Sequence, residues 1–456
     1  MLDTRVRDWQ FGDLPIPWLS CRRLQRMWIG AGSGNPAPSC GALFIILAPH
    51  FLAASGYQAR AVPPYNLHRF SERLAWSTPP NAYSLLLAEK RRAGAPLLDL
   101  TSANPTEALS GYPHHDIAQA LGAITTFRYE PDPLGSKFAR QTVACWYGEQ
   151  GIPAVAENIA LTASTSEAYA ILFKLFCDPG DEVLVPSPSY PLFEYLAHGE
   201  AVKTVPYHLS YDGGWFIDFE SVERAISANS KALVVVNPNN PTGSFLKARE
   251  VTRLALLAEK HGLPLISDEV FMSYPAAANG DKIRSFIGRN EVVSFSLNGL
   301  SKAAGMPQMK LAWIAVNGPR KERDAALAKL ELLLDSYLSV ATPVQCALPE
   351  LLRIGSMIRS RIDLRLRENR DYLATLRNTP VEPLSSEGGW SIILRIPNVL
   401  SEEEWIAKLL AYDGIVVQPG YFYDMAKEAY VVVSLLTEPA LFAEGIDKLA
   451  RLVARF

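Results

Sequence analysis

Cysteine is scarce in this chain. Five residues in 456 (Cys21, Cys40, Cys145, Cys177 and Cys346) are scattered, odd in number and never in a CxxC pair. That excludes a disulfide framework or a zinc cluster, and it fits thiols kept reduced, so a cytoplasmic location is expected. No basic excess is present either: 44 Lys and Arg stand against 47 Asp and Glu, a net charge of −3. A nucleic-acid partner is therefore not expected, because a phosphate backbone is met with clustered positive charge. Long apolar runs are missing too. The stretch GALFIILAPHFLAA at 41–54 is broken by Pro49 and His50 and falls short of the ~20 residues a spanning helix needs. It also begins too far from the N-terminus to be the core of a secretion signal, and no membrane partner is expected. Internal repeats and low-complexity segments are absent.

Residues 1–68 differ from the rest. Arg5, Arg7, Arg22, Arg23 and Arg26 precede a loop-like GAGSGNPAPS and then the apolar stretch. The expectation is an N-terminal extension outside the folded part, or a start site set too early. No methionine lies between Met27 and Met272, so a start within this stretch needs an alternative initiation codon.

What the chain does contain is 48% hydrophobic residues, enough to offset the entropy of ordering. Its length suits one large α/β unit with a smaller companion. Short apolar runs alternate with helical patterns: 157–161, 182–185, 232–236, 263–266, 292–297 and 311–316. Apolar strands separated by helices predict a mostly parallel sheet covered on both faces. A charged helical pattern over 320–338 is expected to link the larger unit to the smaller one, where helices alternate with strands such as WSIILRI and YVVVSLL. Ligands in such sheets bind at the carboxyl ends of the strands, so the turns there are where chemistry is sought.

Four turns carry it. Thr162-Ala163-Ser164-Thr165-Ser166-Glu167 delivers small hydroxyls to a helix N-terminus, either an ordinary N-cap or a phosphate site. Asn237-Pro238-Asn239-Asn240-Pro241-Thr242-Gly243 fixes the backbone with two prolines, so an Asn amide can be held rigidly, donor and acceptor both on offer. Ser267-Asp268-Glu269-Val270-Phe271 puts an acid at the end of a buried strand, costly unless it meets a cation such as a protonated pyridine nitrogen. Asn298-Gly299-Leu300-Ser301-Lys302 ends a strand with a lysine that, with a depressed pKa, forms an imine with an aldehyde.

In their order, NPNNPTG, SDEVF and GLSK resemble the fold-type I, pyridoxal-phosphate-dependent class I/II aminotransferases, and NGLSK is similar to the alanine-aminotransferase-like branch. The likeness spans roughly residues 70–456. It implies an α/β fold: a large domain, 116–340, with a mostly parallel sheet covered by helices, and a smaller α/β domain from 69–115 and 341–456. It implies pyridoxal 5'-phosphate as cofactor, and transfer of an amino group between an amino acid and a 2-oxo acid. Lys302 corresponds to the Schiff-base lysine that also moves the proton between substrate Cα and cofactor C4′. Asp268 corresponds to the partner of the pyridine nitrogen, Asn240 to the ligand of the ring's phenolic oxygen, and Tyr190 to the residue stacked on the ring. Thr165 and Ser166 correspond to phosphate ligands, and Ala103 and Asn104, in LTSANPT, to the loop lining the substrate pocket. Tyr129, in RYEPDPLG, resembles the tyrosine that reaches the neighbouring subunit's cofactor, which implies a homodimer with shared active sites.

Four departures qualify the resemblance. Lys310 stands where an arginine usually binds the phosphate, and it loses the bidentate fork. Phe271 replaces a tyrosine that hydrogen-bonds the phenolic oxygen. Gly299 replaces a hydroxyl residue. Val432, in Tyr430-Val431-Val432-Val433-Ser434, stands in place of the arginine that grips the substrate carboxylate, and Arg395 is the candidate substitute. That gap keeps open a lyase, decarboxylase or cyclising enzyme on the same scaffold. A cofactor-binding DNA regulator is the remaining alternative, and residues 1–68 give it little room.

Overall fold

Unbroken runs of Val, Ile and Leu suit strands covered on both faces, whereas alternation suits half-covered ones. A computed structural model describes residues 71, 73, 81–123, 128–277, 281–425 and 429–456. The expected extension 1–68, with its apolar stretch, lies outside the described residues.

In chain order the strands are β1 (Leu98–Asp99), β2 (Ile159–Thr162), β3 (Glu182–Ser187), β4 (Lys203–Tyr211), β5 (Trp215–Ile217), β6 (Ser230–Val236), β7 (Leu265–Asp268), β8 (Ser294–Gly299), β9 (Ala312–Asn317), β10 (Glu382–Pro383), β11 (Ser391–Ile396), β12 (Ile415–Val416), β13 (Gln418–Pro419) and β14 (Ala429–Ser434). Eight of them form one sheet in the order β2-β9-β8-β7-β6-β3-β4-β5. The run β8-β7-β6-β3-β4 is parallel, while β9 runs against both its neighbours and β5 against β4. One face (Val183, Val185, Val234, Ile266, Phe295, Ile314) is covered by the helices Thr165–Phe176 and Arg320–Asp335. The other (Leu184, Leu233, Val235, Leu265) is covered by Ala248–His261. The mostly parallel, doubly covered sheet is therefore as expected. β4 was not foreseen, because its polar sequence contains Pro206. That residue sits opposite Val185, and pairing to β5 begins only at Leu209. Proline is tolerated where a strand has an open side.

A second sheet, β10-β11-β14-β13, is antiparallel throughout. β1 pairs with β12 in parallel, tying the described N-terminal segment to the C-terminal part. The link between the two sheets differs from the expectation. The helix Arg320–Asp335 instead buries Ala326, Leu330 and Leu334 against the large sheet. The 33-residue helix Thr342–Ala374 is the element that spans both. Its Gly355 approaches Ala304 so closely that an added Cβ would lie 2.8 Å from Ala304 Cα. Further along, Asn369 donates to the carbonyls of Leu435 (2.8 Å) and Thr437 (2.7 Å), just past β14.

Candidate active site

The four turns meet at one edge of the large sheet because β2, β3, β6, β7 and β8 all point their carboxyl ends there. β7 ends in Asp268. The adjacent, parallel β8 ends at Gly299 and turns into the short helix Leu300–Ala303, which carries Lys302. Register pairs Asp268 with Leu297, bringing the acid near the lysine. Lys302 is half-buried, and its amine lies beside the Trp390 and Phe271 rings. Burial lowers its pKa to about 8, and the Asp268 charge works the other way. Burial raises Asp268 to about 6; the Val270 N–H (3.2 Å), the Tyr169 hydroxyl (3.1 Å) and Lys302 oppose the rise.

Successive strand residues face opposite ways, so Glu269 turns from the cleft into the core. There it accepts from Ser285 Oγ (2.6 Å), the Phe286 N–H (2.9 Å) and Ser296 Oγ (3.0 Å). Burial lifts its pKa to about 7.

In the turn after β2, the N-cap is Ser164, whose hydroxyl accepts from the Glu167 N–H at 3.1 Å. Thr165 and Ser166 occupy the first turn of the helix, and neither hydroxyl bonds another side chain or backbone group among the described residues. Tyr169, one turn on, reaches Asp268, so one helix presents hydroxyls at its start and supports the acid from its inner face.

The Asn-rich turn after β6 divides its three amides. Asn237 is spent on the Ile283 carbonyl (2.7 Å) and the Leu246 N–H (2.9 Å). Asn239 holds Thr242 and the Pro188 carbonyl. Asn240 has no side-chain hydrogen bond to another described residue, which leaves its amide for a ligand. Gly243, at φ +70°, has no room for a Cβ against Ser386 Oγ and Gly388 O. Tyr190, past β3, lies within reach of the Asp268 charge, and burial raises its pKa.

Other candidates are placed differently. Arg395 is engaged by its strand neighbours: its guanidinium pairs with Glu382 at 3.2 Å and lies over the Tyr211 ring. Asn104 caps the helix Pro105–Ala108, accepting from the Thr106 N–H at 3.1 Å, with Ala103 beside it and half-buried. Lys310 is exposed, with a left-handed φ of 48°. Tyr129 is 73% exposed. Val432 is buried among Leu384, Ile393, Tyr423 and Tyr430.

Sequence reasoning missed Trp390 and Tyr274 beside the lysine, and named Phe271 only as a departure from the family. Lys302 Nζ lies 4.3 Å from the centre of the Trp390 ring and 5.4 Å from that of Phe271. Tyr274 donates to the Lys302 carbonyl at 2.6 Å. The signal for Trp390 was a large aromatic directly after Gly388-Gly389, which packs edge-on against Phe271 and Tyr274.

Residues 95–441 match the sequence model of the family described as aminotransferase class I and II. The chain belongs to that family. It is 24% identical over 374 residues to the glutamate-pyruvate aminotransferase of Haemophilus influenzae, covering 80% of this chain and 92% of that one. Nicotianamine aminotransferase B of Hordeum vulgare is 26% identical over 387 residues, covering 80% and 69%. In fold, the chain superposes on the alanine aminotransferase from Pyrococcus furiosus with a TM-score of 0.76 at 22% identity, covering 85% and 100%. This aminotransferase transfers an amino group between an amino acid and a 2-oxo acid, with pyridoxal phosphate as cofactor.

The residues present fit that cofactor. Asp268 is a half-buried acid suited to a cationic nitrogen, Lys302 a low-pKa amine suited to an aldehyde, and the start of the helix Thr165–Phe176 offers hydroxyls to a phosphate. Among the described residues no group of side chains suits a metal ion, and no helix is long and apolar enough to cross a membrane.

Two predictions arise here. The aminotransferase has no space for a hydroxyl at Gly299, since a Cβ there would lie 2.7 Å from Ala312 Cβ and 2.8 Å from Ala312 Cα. Gly299→Ser is expected to destabilise the fold by about 1–3 kcal/mol through overpacking, measured by urea unfolding; unchanged stability would contradict the close β8–β9 approach. Tyr169→Phe removes a bond that holds the Asp268 pKa down. The acid-side loss of cofactor affinity in the apoenzyme should then begin at higher pH, read from dissociation constants of pyridoxal phosphate across pH 5–8. A shift to lower pH would speak against the Tyr169 contact.

Proposed function

We propose that Lys302 is the amine on which this aminotransferase's chemistry depends, with Asp268 as its electrostatic counterpart. The observation that carries this is the pairing at the ends of β7 and β8. There a lysine whose pKa burial holds near 8 lies within range of the charge of a carboxylate backed by a phenol. Pyridoxal phosphate, when bound, supplies an aldehyde for an amine and a cationic ring that spreads negative charge.

The residues do the rest. Asp268 keeps the ring nitrogen protonated and balances its charge. Thr165 and Ser166 hold the phosphate at the helix start, with Lys310 adding positive charge. Tyr190 covers a ring face, and Asn240 orients the ring's phenolic oxygen. Lys302 Nζ, neutral for a useful fraction of the time at a pKa near 8, takes the proton from substrate Cα. Ala103 and Asn104 line the substrate side. Arg395 is a weak candidate for the substrate carboxylate, since Glu382 already occupies it.

We take the enzyme to be a cytoplasmic homodimer in which the exposed Tyr129 reaches the partner's phosphate. The domains are 116–340 and, joined through the β1–β12 pairing, 69–115 with 341–456. The names of its relatives point to alanine or glutamate as first donors to try. When purified holoenzyme is mixed with single amino acids, the visible band of the bound cofactor should bleach as an equivalent of 2-oxo acid appears. Ammonia or carbon dioxide in its place would indicate a lyase or decarboxylase.

A further inference from the structure

A tryptophan enclosed in the core with its N–H unpaired is a costly choice, since a buried indole normally finds an acceptor. Trp390 is 2% exposed, and its Nε1 has no hydrogen-bond partner among the described residues. What the residue offers instead is a ring face. Lys302 Nζ lies over that ring, 4.3 Å from its centre, and 5.4 Å from the centre of the Phe271 ring. A cation within about 6 Å of an aromatic face is attracted to it, best by tryptophan and most strongly where water is excluded.

Several contacts hold the ring in that place. The turn that follows Asp268 at the end of β7 supplies both Phe271 and Tyr274. Their rings meet Trp390 edge to face, at 5.5 Å and 68° for Phe271 and at 5.2 Å and 70° for Tyr274. Tyr274 also donates to the Lys302 carbonyl at 2.6 Å, so one cluster engages both the backbone and the amine of the lysine. The Gly389 N–H, one residue before Trp390, donates to the Tyr274 carbonyl at 2.9 Å. Lysine–ring approaches on the surface look different: Lys408 lies 5.0 Å from the Phe456 ring, which is 55% exposed. Other charges near the amine are accounted for. Asp268 comes from β7 and favours the charged lysine. On the helix Thr342–Ala374, Arg359 donates to the Ala303 carbonyl at 3.4 Å and Arg370 to the Gly389 carbonyl at 2.8 Å, with Asp363 on the same helix acting on both Tyr274 and Arg370.

We infer that Trp390, with Phe271 beside it, is a positioning residue that holds the free Lys302 amine and stabilises the positive charge this amine gains on taking the substrate's Cα proton. This rests on the reading of Lys302 as the reacting amine. In that step the proton goes to the Nζ lone pair, and the electron pair of the broken C–H bond stays with the substrate carbon. The new ammonium then sits over an electron-rich face already fixed by its neighbours, so nothing has to reorganise to receive it.

The test replaces Trp390 alone with fluorotryptophans of rising fluorine content, which drain negative charge from the ring face and keep its shape. The full-length enzyme is freed of cofactor, and the pH midpoint of Lys302 acylation is read by peptide mapping. The unfluorinated enzyme should give a midpoint near 8. The midpoint should fall stepwise with fluorine content, by about one pH unit or more for trifluorotryptophan. A ring that only fills space would leave the midpoint flat across the series, and a flat or rising series would overturn the proposal. If the fluorinated chains do not fold, Trp390→Phe and Trp390→Leu decide. The first should hold the midpoint within about half a unit and the second should lower it by about a unit or more; equal midpoints would overturn the proposal. Borohydride reduction of the loaded enzyme separates the two claims. A label on Lys302 with flat midpoints sinks only the role of the ring, and no label there sinks the reading beneath it.

Discussion

Lys302→Ala should reduce transamination by about ten-thousandfold or more, since the change removes both the amine that meets the cofactor aldehyde and the base that moves the Cα proton. The protein should still fold. Only a short helix carries the residue, and a low-pKa ammonium under burial is not a source of stability. The variant should bind pyridoxal phosphate without the visible absorbance of the lysine-bound form. Normal turnover in Lys302→Ala, read by oxo-acid release, would refute the assignment. Of the alternative lysines, Lys310 lies on the exposed turn before β9, where its amine lacks the packing that makes Lys302 reactive.

Asp268→Ala should cost about 10²–10³-fold in cofactor affinity and in rate, because the cationic ring of the cofactor, when bound, would lose the carboxylate that balances it, on the scale of about 3–5 kcal/mol for removing one partner of such a pair. A second readout separates this from general damage. The Asp268 carboxylate raises the Lys302 pKa against the larger lowering by burial. Its removal must push Lys302 below about 8, so the apoenzyme amine should react with an aldehyde or an amine-directed reagent at lower pH than in the wild type. An upward shift of that profile, or none, would contradict the proximity of the two groups.

Much of this was legible in the sequence, for physical reasons. The run expected at 232–236 is β6, Ser230–Val236, because a strand buried on both faces must be apolar at every position. The turns were legible because prolines and glycines fix backbones: Asn240 remains open for a ligand since Asn237 and Asn239 are consumed in holding the turn. What escaped depends on register and on distant chain. Arg395 faces Glu382 because β10 and β11 pair them directly, and no pattern within β11 announces that. Tyr169 looks like one more aromatic on a buried helix face until β7 brings Asp268 to it. The spanning helix Thr342–Ala374 is hard to read from sequence because Pro349 lies inside it. Arg370 reaches the Gly389 carbonyl, next to Trp390, from a separate helix, and no local pattern announces that.

The measurement that bears most directly on the account is borohydride reduction of the holoenzyme, which fixes the cofactor to whatever amine holds it, followed by peptide mapping. The account predicts a single labelled peptide with the modification on Lys302. A label on another lysine, or an unlabelled chain that still transaminates, would contradict it.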